Sequence, residues 1–413
     1  MTTRPFQLTD GFVEERCDFC GRCFSECPVM RLPPAEAEVE IHALIESGAS
    51  PVLDRCTGCM ACNTICPQDA NPHTLIVKAW GARYREQGLP SAAHLVLPYQ
   101  KRTLHTIGRQ TMPEDERVLV RQWEENWRNP PDCDTMIYAG CNMMLLPFIL
   151  DSPLYADIPI FGGLELCCGE PFYRMGCWEA ATAAAANVRD EFQRMGLKKI
   201  IVPCLACYHL FNIVYPQVLG IPLDVEVVSM EAWLCERVAA GKIQFSPLNK
   251  TVALHDNCWP KASGDVLFDK VRELLGLLGV TVVEMDHARE NALCCGMCAA
   301  AARYRLRDIM GTAKRLLNEL EQAPAEWGVE YCGGCTWLLS LVNQAVLSRY
   351  RKPRYHLLEL VQMAAGETPK RRTDKRMRSV LCHVAPGLLG HFIAGGRFWI
   401  ERVAGRPVNR PSK

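Results

Sequence analysis

Apolar residues recur at helical spacing through roughly the first third of the chain. Glu36–Ser47 places Val39, Ile41, Leu44 and Ile45 on such a pattern, and Pro72–Gln87 does the same with Leu75, Ile76, Ala79, Trp80 and Tyr84. Pro113–Arg128 reads as a further helix, acidic at its start, where the helix dipole favours negative charge. Asn129-Pro130-Pro131-Asp132 breaks the pattern and marks a domain junction. Beyond it, short unbroken apolar runs alternate with helical stretches, which predicts an α/β fold. Thr135–Gly140 and Lys199–Pro203 read as strands, with the Ala-rich helix Trp178–Met195 between them. Thr251–His255 and Val329–Tyr331 are the corresponding later strands, followed by helices over Ala299–Leu320 and Thr336–Val346.

The later half repeats the middle of the chain. Cys141, Cys167-Cys168-Gly169 and Cys204-x2-Cys207 return as Cys258, Cys294-Cys295-Gly296 and Cys332-x2-Cys335. The offsets (258 − 141, 294 − 167 and 332 − 204) are 117, 127 and 128 residues, so the unit is duplicated with an indel in its first loop. Most of these cysteines follow an apolar strand and precede a helix. Open α/β sheets bind ligands beyond the carboxyl ends of their strands, and helix N-termini favour thiolates and anionic groups. Each half should therefore gather five sulfurs at one sheet edge.

Composition narrows the chemistry. The 413 residues carry 46 basic and 46 acidic side chains, 49% apolar residues and 23 cysteines. That balance excludes a disordered chain and a nucleic-acid binder acting through overall positive charge. The opening residues lack the apolar core of a secretory signal, and Leu381–Ile400 holds two His, a Pro and an Arg, so it reads as non-spanning. An odd cysteine count in a chain read as cytoplasmic argues for metal or redox ligands over a disulfide framework. There is no GxGxxG or GxxxxGK[ST] motif, so electrons should come from a partner rather than from a flavin or nicotinamide held here.

Two early runs read Cys17-x2-Cys20-x2-Cys23-x3-Cys27-Pro28 and Cys56-x2-Cys59-x2-Cys62-x3-Cys66-Pro67. This is the bacterial ferredoxin signature for cubane [4Fe–4S] clusters, in which the fourth cysteine of each run ligates the other cluster. Cys17, Cys20, Cys23 and Cys66 are thus assigned to one cubane, and Cys56, Cys59, Cys62 and Cys27 to the other. The bland alternative, a pair of zinc knuckles, needs only four ligands in two CxxC pairs.

With both patterns in view, residues 10–362 resemble the cysteine-rich CCG-domain proteins of the heterodisulfide reductase type, either the D subunit or a fusion of the C and B subunits. The iron–sulfur subunits of anaerobic glycerol-3-phosphate dehydrogenase and glycolate oxidase share the layout. The resemblance implies a helical two-cluster ferredoxin-type domain (1–90), a helical linker (91–132), two duplicated Rossmann-like CCG domains (133–245 and 246–368) and a basic tail (369–413). It implies two non-cubane [4Fe–4S] clusters, one on Cys141, Cys167, Cys168, Cys204 and Cys207, the other on Cys258, Cys294, Cys295, Cys332 and Cys335, the second set being the closer match. These ten cysteines would be catalytic, each cluster taking one sulfur of a disulfide or heterodisulfide substrate. A cubane or zinc site on four of the five cysteines is the alternative in either half. Quinone-linked relatives more often lack ligands in one half, whereas both sets are complete here. One departure is the 25-residue gap between Cys141 and Cys167, shorter than the family's usual spacing.

The expected function is an anaerobic oxidoreductase subunit in a multi-subunit complex. It would take electrons from a flavoprotein or cytochrome and reduce, or form, a small disulfide. The alternative is an electron-transfer subunit linking a flavin dehydrogenase to quinone, with no substrate of its own. Cys133, Cys177, Cys235 and Cys382 read as small buried hydrophobes, and Cys298, beside Cys294-Cys295, as a spare ligand or redox-sensitive thiol. His209 and His255 read as structural, with proton donation as the functional alternative. Lys261 reads as solvated, with charge neutralisation at a cluster as its alternative. From Lys370 onward there are 11 basic and 2 acidic residues, read either as a solvated tail or as an arm docking a partner protein or the cytoplasmic face of a membrane.

Overall fold

The computed structural model describes residues 11–262, 266–297, 303, 305–345, 350–393 and 396–408. After a helical N-terminal region comes a two-residue strand, β1 (Leu89–Pro90). The first sheet follows, built from β2 (Thr135–Ala139), β3 (Ile160–Gly162), β4 (Lys199–Val202) and β5 (Glu226–Ser229) in the order β3-β2-β4-β5. The second contains β6 (Lys250–His255), β7 (Val280–Val283), β8 (Trp327–Glu330) and β9 (Arg354–His356) in the order β7-β6-β8-β9. Every pairing within both sheets is parallel; Tyr138 lies opposite Phe161 in one, and Val252 opposite Val282 in the other. The duplication is therefore visible in the strand order as well as in the cysteines. The central strands are covered on both faces, as parallel sheets require, and Met136–Ala139 and Val252–Leu254 are fully buried.

The predicted helices form at Pro34–Ser47, Pro72–Gln87, Glu114–Arg128 and Trp178–Arg194. Pro34–Ser47 buries Ile41 and Leu44 but leaves Val39 64% exposed, since this helix lies on the surface of a small core with Phe24, Leu53 and Trp80. The helix expected over Ala299–Leu320 is described from Leu306 to Gln322; Cys298 lies outside the described residues. The apolar stretch after Cys207 runs as Leu205–His209 and then a π-helix, Leu210–Val218, which contains Pro216.

The C-terminal segment lies on the body of the molecule. Its helix Thr373–Ile393 packs on Gly333–Ala345 and Leu104–Gln110. Beyond it, β10 (Arg397–Phe398) pairs antiparallel with β1, and the hairpin β11 (Arg402–Val403) and β12 (Arg406–Pro407) packs on helix Trp178–Arg194. Three of its basic residues are tied inward: Lys370 to Asp115 and Asp151, Arg372 to Asp115 and Glu116, and Arg376 to Glu116. Among the described residues no helix is long and apolar enough to cross a membrane.

Candidate iron–sulfur sites

The two early cysteine runs adopt the same turn. Phe19 and Gly58 occupy equivalent left-handed positions (φ 59° and 68°), as do Gly21 and Met60 (φ 66° and 65°). These reversals allow three cysteines to converge within seven residues (17–23 and 56–62). The electrostatic neighbours of Cys23 are Cys66, Cys17 and Cys20. Those of Cys56 are Cys59 and Cys27, and Cys59 leads the neighbours of Cys27. These neighbours follow the crossed sets read from the sequence, except that Cys62 neighbours Cys23 as well as Cys56, Cys59 and Cys27. Backbone amides point at several sulfurs: Gly58 to Cys56 at 3.3 Å, Met30 to Cys27 at 3.4 Å and Ala70 to Cys66 at 3.4 Å. Such N–H groups stabilise a thiolate and would tune a bound cluster. Burial, together with the neighbouring sulfurs, pushes the Cys23, Cys56 and Cys62 thiols up, so the anionic form needs a positive partner such as iron.

In the first CCG half, Cys141 opens the helix that follows β2, and Cys204 caps the helix that follows β4. Cys167 and Cys168 follow a short 3-10 turn after β3. Gly169 then takes φ +81°, as Gly296 takes φ +105° in the second half. The sulfurs lie together, with Cys167 to Cys141 at 3.5 Å and Cys207 to Cys168 at 3.3 Å. Three tyrosines that sequence reasoning missed brace this turn. Tyr138, Tyr99 and Tyr215 donate to the carbonyls of Leu166, Cys167 and Cys168 in turn, the last two at 2.5 and 2.8 Å. In the second half, Cys295 contacts Cys294 and Cys335, and Gly296 N–H donates to Cys294 at 3.3 Å. All ten CCG cysteines are buried except Cys258, which is half-buried. Five clustered sulfurs per half, without a disulfide, fit a polynuclear thiolate-held centre. Among the described residues, no three His, Cys, Asp or Glu side chains are set as ligands to a single metal ion.

The two halves meet at their sulfurs. Cys204 of the first contacts Cys332 of the second, and is held below the usual thiol range because Cys207 and Cys332 donate to it. The ferredoxin-type region meets the second set: Cys59 and Ala61 pack with Cys294, and Cys258 lies against them. Two buried cations cross this junction. Lys261 is not solvated; its ammonium donates to the carbonyls of Cys59 (3.3 Å) and Ala292 (2.8 Å). Arg174, of the first half, reaches Gly58 and Cys258. Neither contact has a local sequence signal, since the partners lie 202 and 84 residues away for Cys59 and Cys258.

Burial holds His209 down to about 3 and His255 down to about 4, so both are neutral imidazoles near neutral pH; neither ring nitrogen of His255 has a hydrogen-bond partner among the described residues, so a hydrogen-bonding role is not seen there. Cys177 and Cys235 are buried as expected, Cys133 is half-buried and Cys382 is exposed.

Residues 154–212 and 252–340 each match the cysteine-rich domain, CCG. The first match takes in Cys167, Cys168, Cys204 and Cys207 but begins after Cys141; the second takes in all five cysteines of its half. Similar proteins include the D subunit of the dihydromethanophenazine:CoB–CoM heterodisulfide reductase of Methanosarcina barkeri, 26% identical over 64% of this chain and 69% of that one. Its counterpart from Methanosarcina mazei is 27% identical over the same shares. The EtfAB:quinone oxidoreductase of Syntrophomonas wolfei is 25% identical over 68% of this chain and 47% of its own length. The chain thus carries the cysteine-rich CCG domain twice and is similar to a heterodisulfide reductase subunit and a quinone oxidoreductase, which supports an iron–sulfur electron-transfer role.

Proposed function

We propose that the chain is the electron-delivering and disulfide-handling subunit of an anaerobic redox complex. Cys17, Cys20, Cys23 and Cys66 hold one cubane cluster, and Cys27, Cys56, Cys59 and Cys62 the other. Each CCG half holds a non-cubane cluster on its five cysteines. When bound, these clusters supply one-electron steps along the chain and, at the CCG pair, a place where each sulfur of a disulfide can be taken up. The observation that carries this reading is the contact between Cys204 and Cys332, which turns the two five-sulfur sets towards each other.

The chain's own residues supply placement and dryness. Half-exposed Cys17, Cys20 and Cys66 mark the end open to a donor, while Cys27, Cys56, Cys59 and Cys62 are buried, Cys59 against Cys294 of the second CCG set. Electrons enter from a flavoprotein or cytochrome partner. At the far end two electrons and two protons convert a disulfide into two thiols, and the same site run backwards forms the disulfide.

The second reading is a relay with no substrate of its own, favoured by the similarity to the EtfAB:quinone oxidoreductase of Syntrophomonas wolfei. Iron and acid-labile sulfide on anaerobically purified protein, with EPR after adding thiols, decide between the two. Four [4Fe–4S] clusters give about 16 Fe per chain, and a thiol-dependent signal supports the disulfide reading. About 8–12 Fe without a thiol response moves the assignment to the relay. Dithiol–disulfide turnover that survives Cys294→Ser with Cys295→Ser would remove the catalytic assignment.

A further inference from the structure

Arg174 belongs to the first CCG half, but its guanidinium works outside it. Nε pairs with Glu170 at 2.6 Å, one helical turn earlier. Nη1 donates to the carbonyl of Gly58, inside the Cys56–Cys59 loop. Nη2 donates to Cys258 Sγ at 3.1 Å, and the guanidinium carbon lies 4.1 Å from the ring centroid of Trp259. The residue is 1% exposed. One planar fork therefore joins three parts of the chain, and only arginine offers that geometry with a permanent charge.

We propose that Arg174 is a positioning residue that raises the reduction potential of the second CCG site and seats that site against the Cys56–Cys62 loop. This rests on Cys258 being a cluster ligand. A charged donor on a ligand sulfur stabilises the more negative, reduced state, and a water-excluded setting strengthens the effect. Trp259 beneath the guanidinium and Gly58 at its other edge fix its plane, so the charge stays on the sulfur. A purely structural Glu170–Arg174 pair would need neither Nη contact.

The test is an EPR-monitored redox titration of the full chain with iron counted in parallel. The second-half signal is identified as the one lost in Cys258→Ser. Glu170→Gln with Arg174→Met removes both buried charges together, and Arg174→Gln removes the cation alone while keeping an amide donor. With full iron, either protein should show that signal titrating at lower potential, by at least a tenfold change in the reduced-to-oxidised ratio, which is 59 mV for one electron. Arg174→Lys should recover part of the shift. A wild-type midpoint in either neutral variant with full iron overturns the proposal. Iron lost from both neutral variants but kept in Arg174→Lys supports the seating role; iron lost from all three, with no midpoint to read, overturns the tuning role and leaves a structural strut. If Cys258→Ser keeps every signal and its full iron, the ligand assignment itself has failed instead.

Discussion

Gly169 and Gly296 show what a single position contributes. Both follow the paired cysteines and both need a left-handed backbone, which costs a residue bearing Cβ about 1–2 kcal/mol. At Gly169 an added Cβ would also lie 2.8 Å from the Ala184 Cβ. Gly169→Ala should lower the melting temperature by a few degrees and deplete iron from the first half alone; calorimetry with iron counting checks it, and an unchanged iron content would separate the turn from ligand placement. Glu231 gives the pH dependence. Burial raises its carboxyl from 4.5 to about 7, so the folded state holds a proton that the unfolded chain releases. Its contribution is complete below pH 4.5 and is lost as pH rises through about 7. The melting temperature of the wild type relative to Glu231→Gln should therefore fall between pH 5 and pH 8, while the buried neutral histidines, which act in the opposite sense, affect both proteins alike; a constant difference would exclude Glu231 as a source of pH dependence.

Among elements, legibility follows burial and length. The buried strands β2, β4 and β6 carry continuous apolar runs and are readable in the sequence, whereas β8 (Trp-Gly-Val-Glu) starts two residues before the expected Val329–Tyr331 and ends on buried Glu330. The outer strands are not: β3 and β9 have three residues each, and β5 (Glu-Val-Val-Ser) and β7 (Val-Thr-Val-Val) carry partly exposed positions that blur the pattern. The grouping of Cys17, Cys20 and Cys23, and of Cys56, Cys59 and Cys62, is legible because each set of three lies within seven residues. The anchoring of the tail is not legible from its charge, because the acids that bind Lys370, Arg372 and Arg376 lie more than two hundred residues earlier. Glu116 is the centre of that attachment, fully buried between Arg372 and Arg376. Removing one member of a buried ion pair costs roughly 3–5 kcal/mol because the partner charge is left stranded. Glu116→Gln should thus release the Thr373–Ile393 helix, seen as faster amide exchange there, while the cysteine sites stay iron-replete. Unchanged exchange would mean that packing on Gly333–Ala345 holds the helix without the ion pairs.

At the scale of the molecule, the contacts define an order of sites that no local motif carries. The half-exposed set of Cys17, Cys20 and Cys66 comes first, then the buried set with Cys56, Cys59 and Cys62. The second CCG half follows through the Cys59–Cys294 packing, and the first half comes last, through Cys204 and Cys332. Under the proposed function this order makes the two halves inequivalent, although they share one strand order and one cysteine pattern: the second would be an obligatory step and the first a terminus. Cys141→Ser, at the terminus, should leave reduction of the second half at its wild-type rate. Cys294→Ser with Cys295→Ser should strand the first half, leaving it oxidised while both ferredoxin-type sites are reduced. Freeze-quench EPR checks this with a reduced protein donor, too large to reach the buried sites directly. Fast reduction of the first half in the Cys294→Ser, Cys295→Ser protein would mean that electrons reach it by another route, and the linear order would have to be abandoned for a branched one.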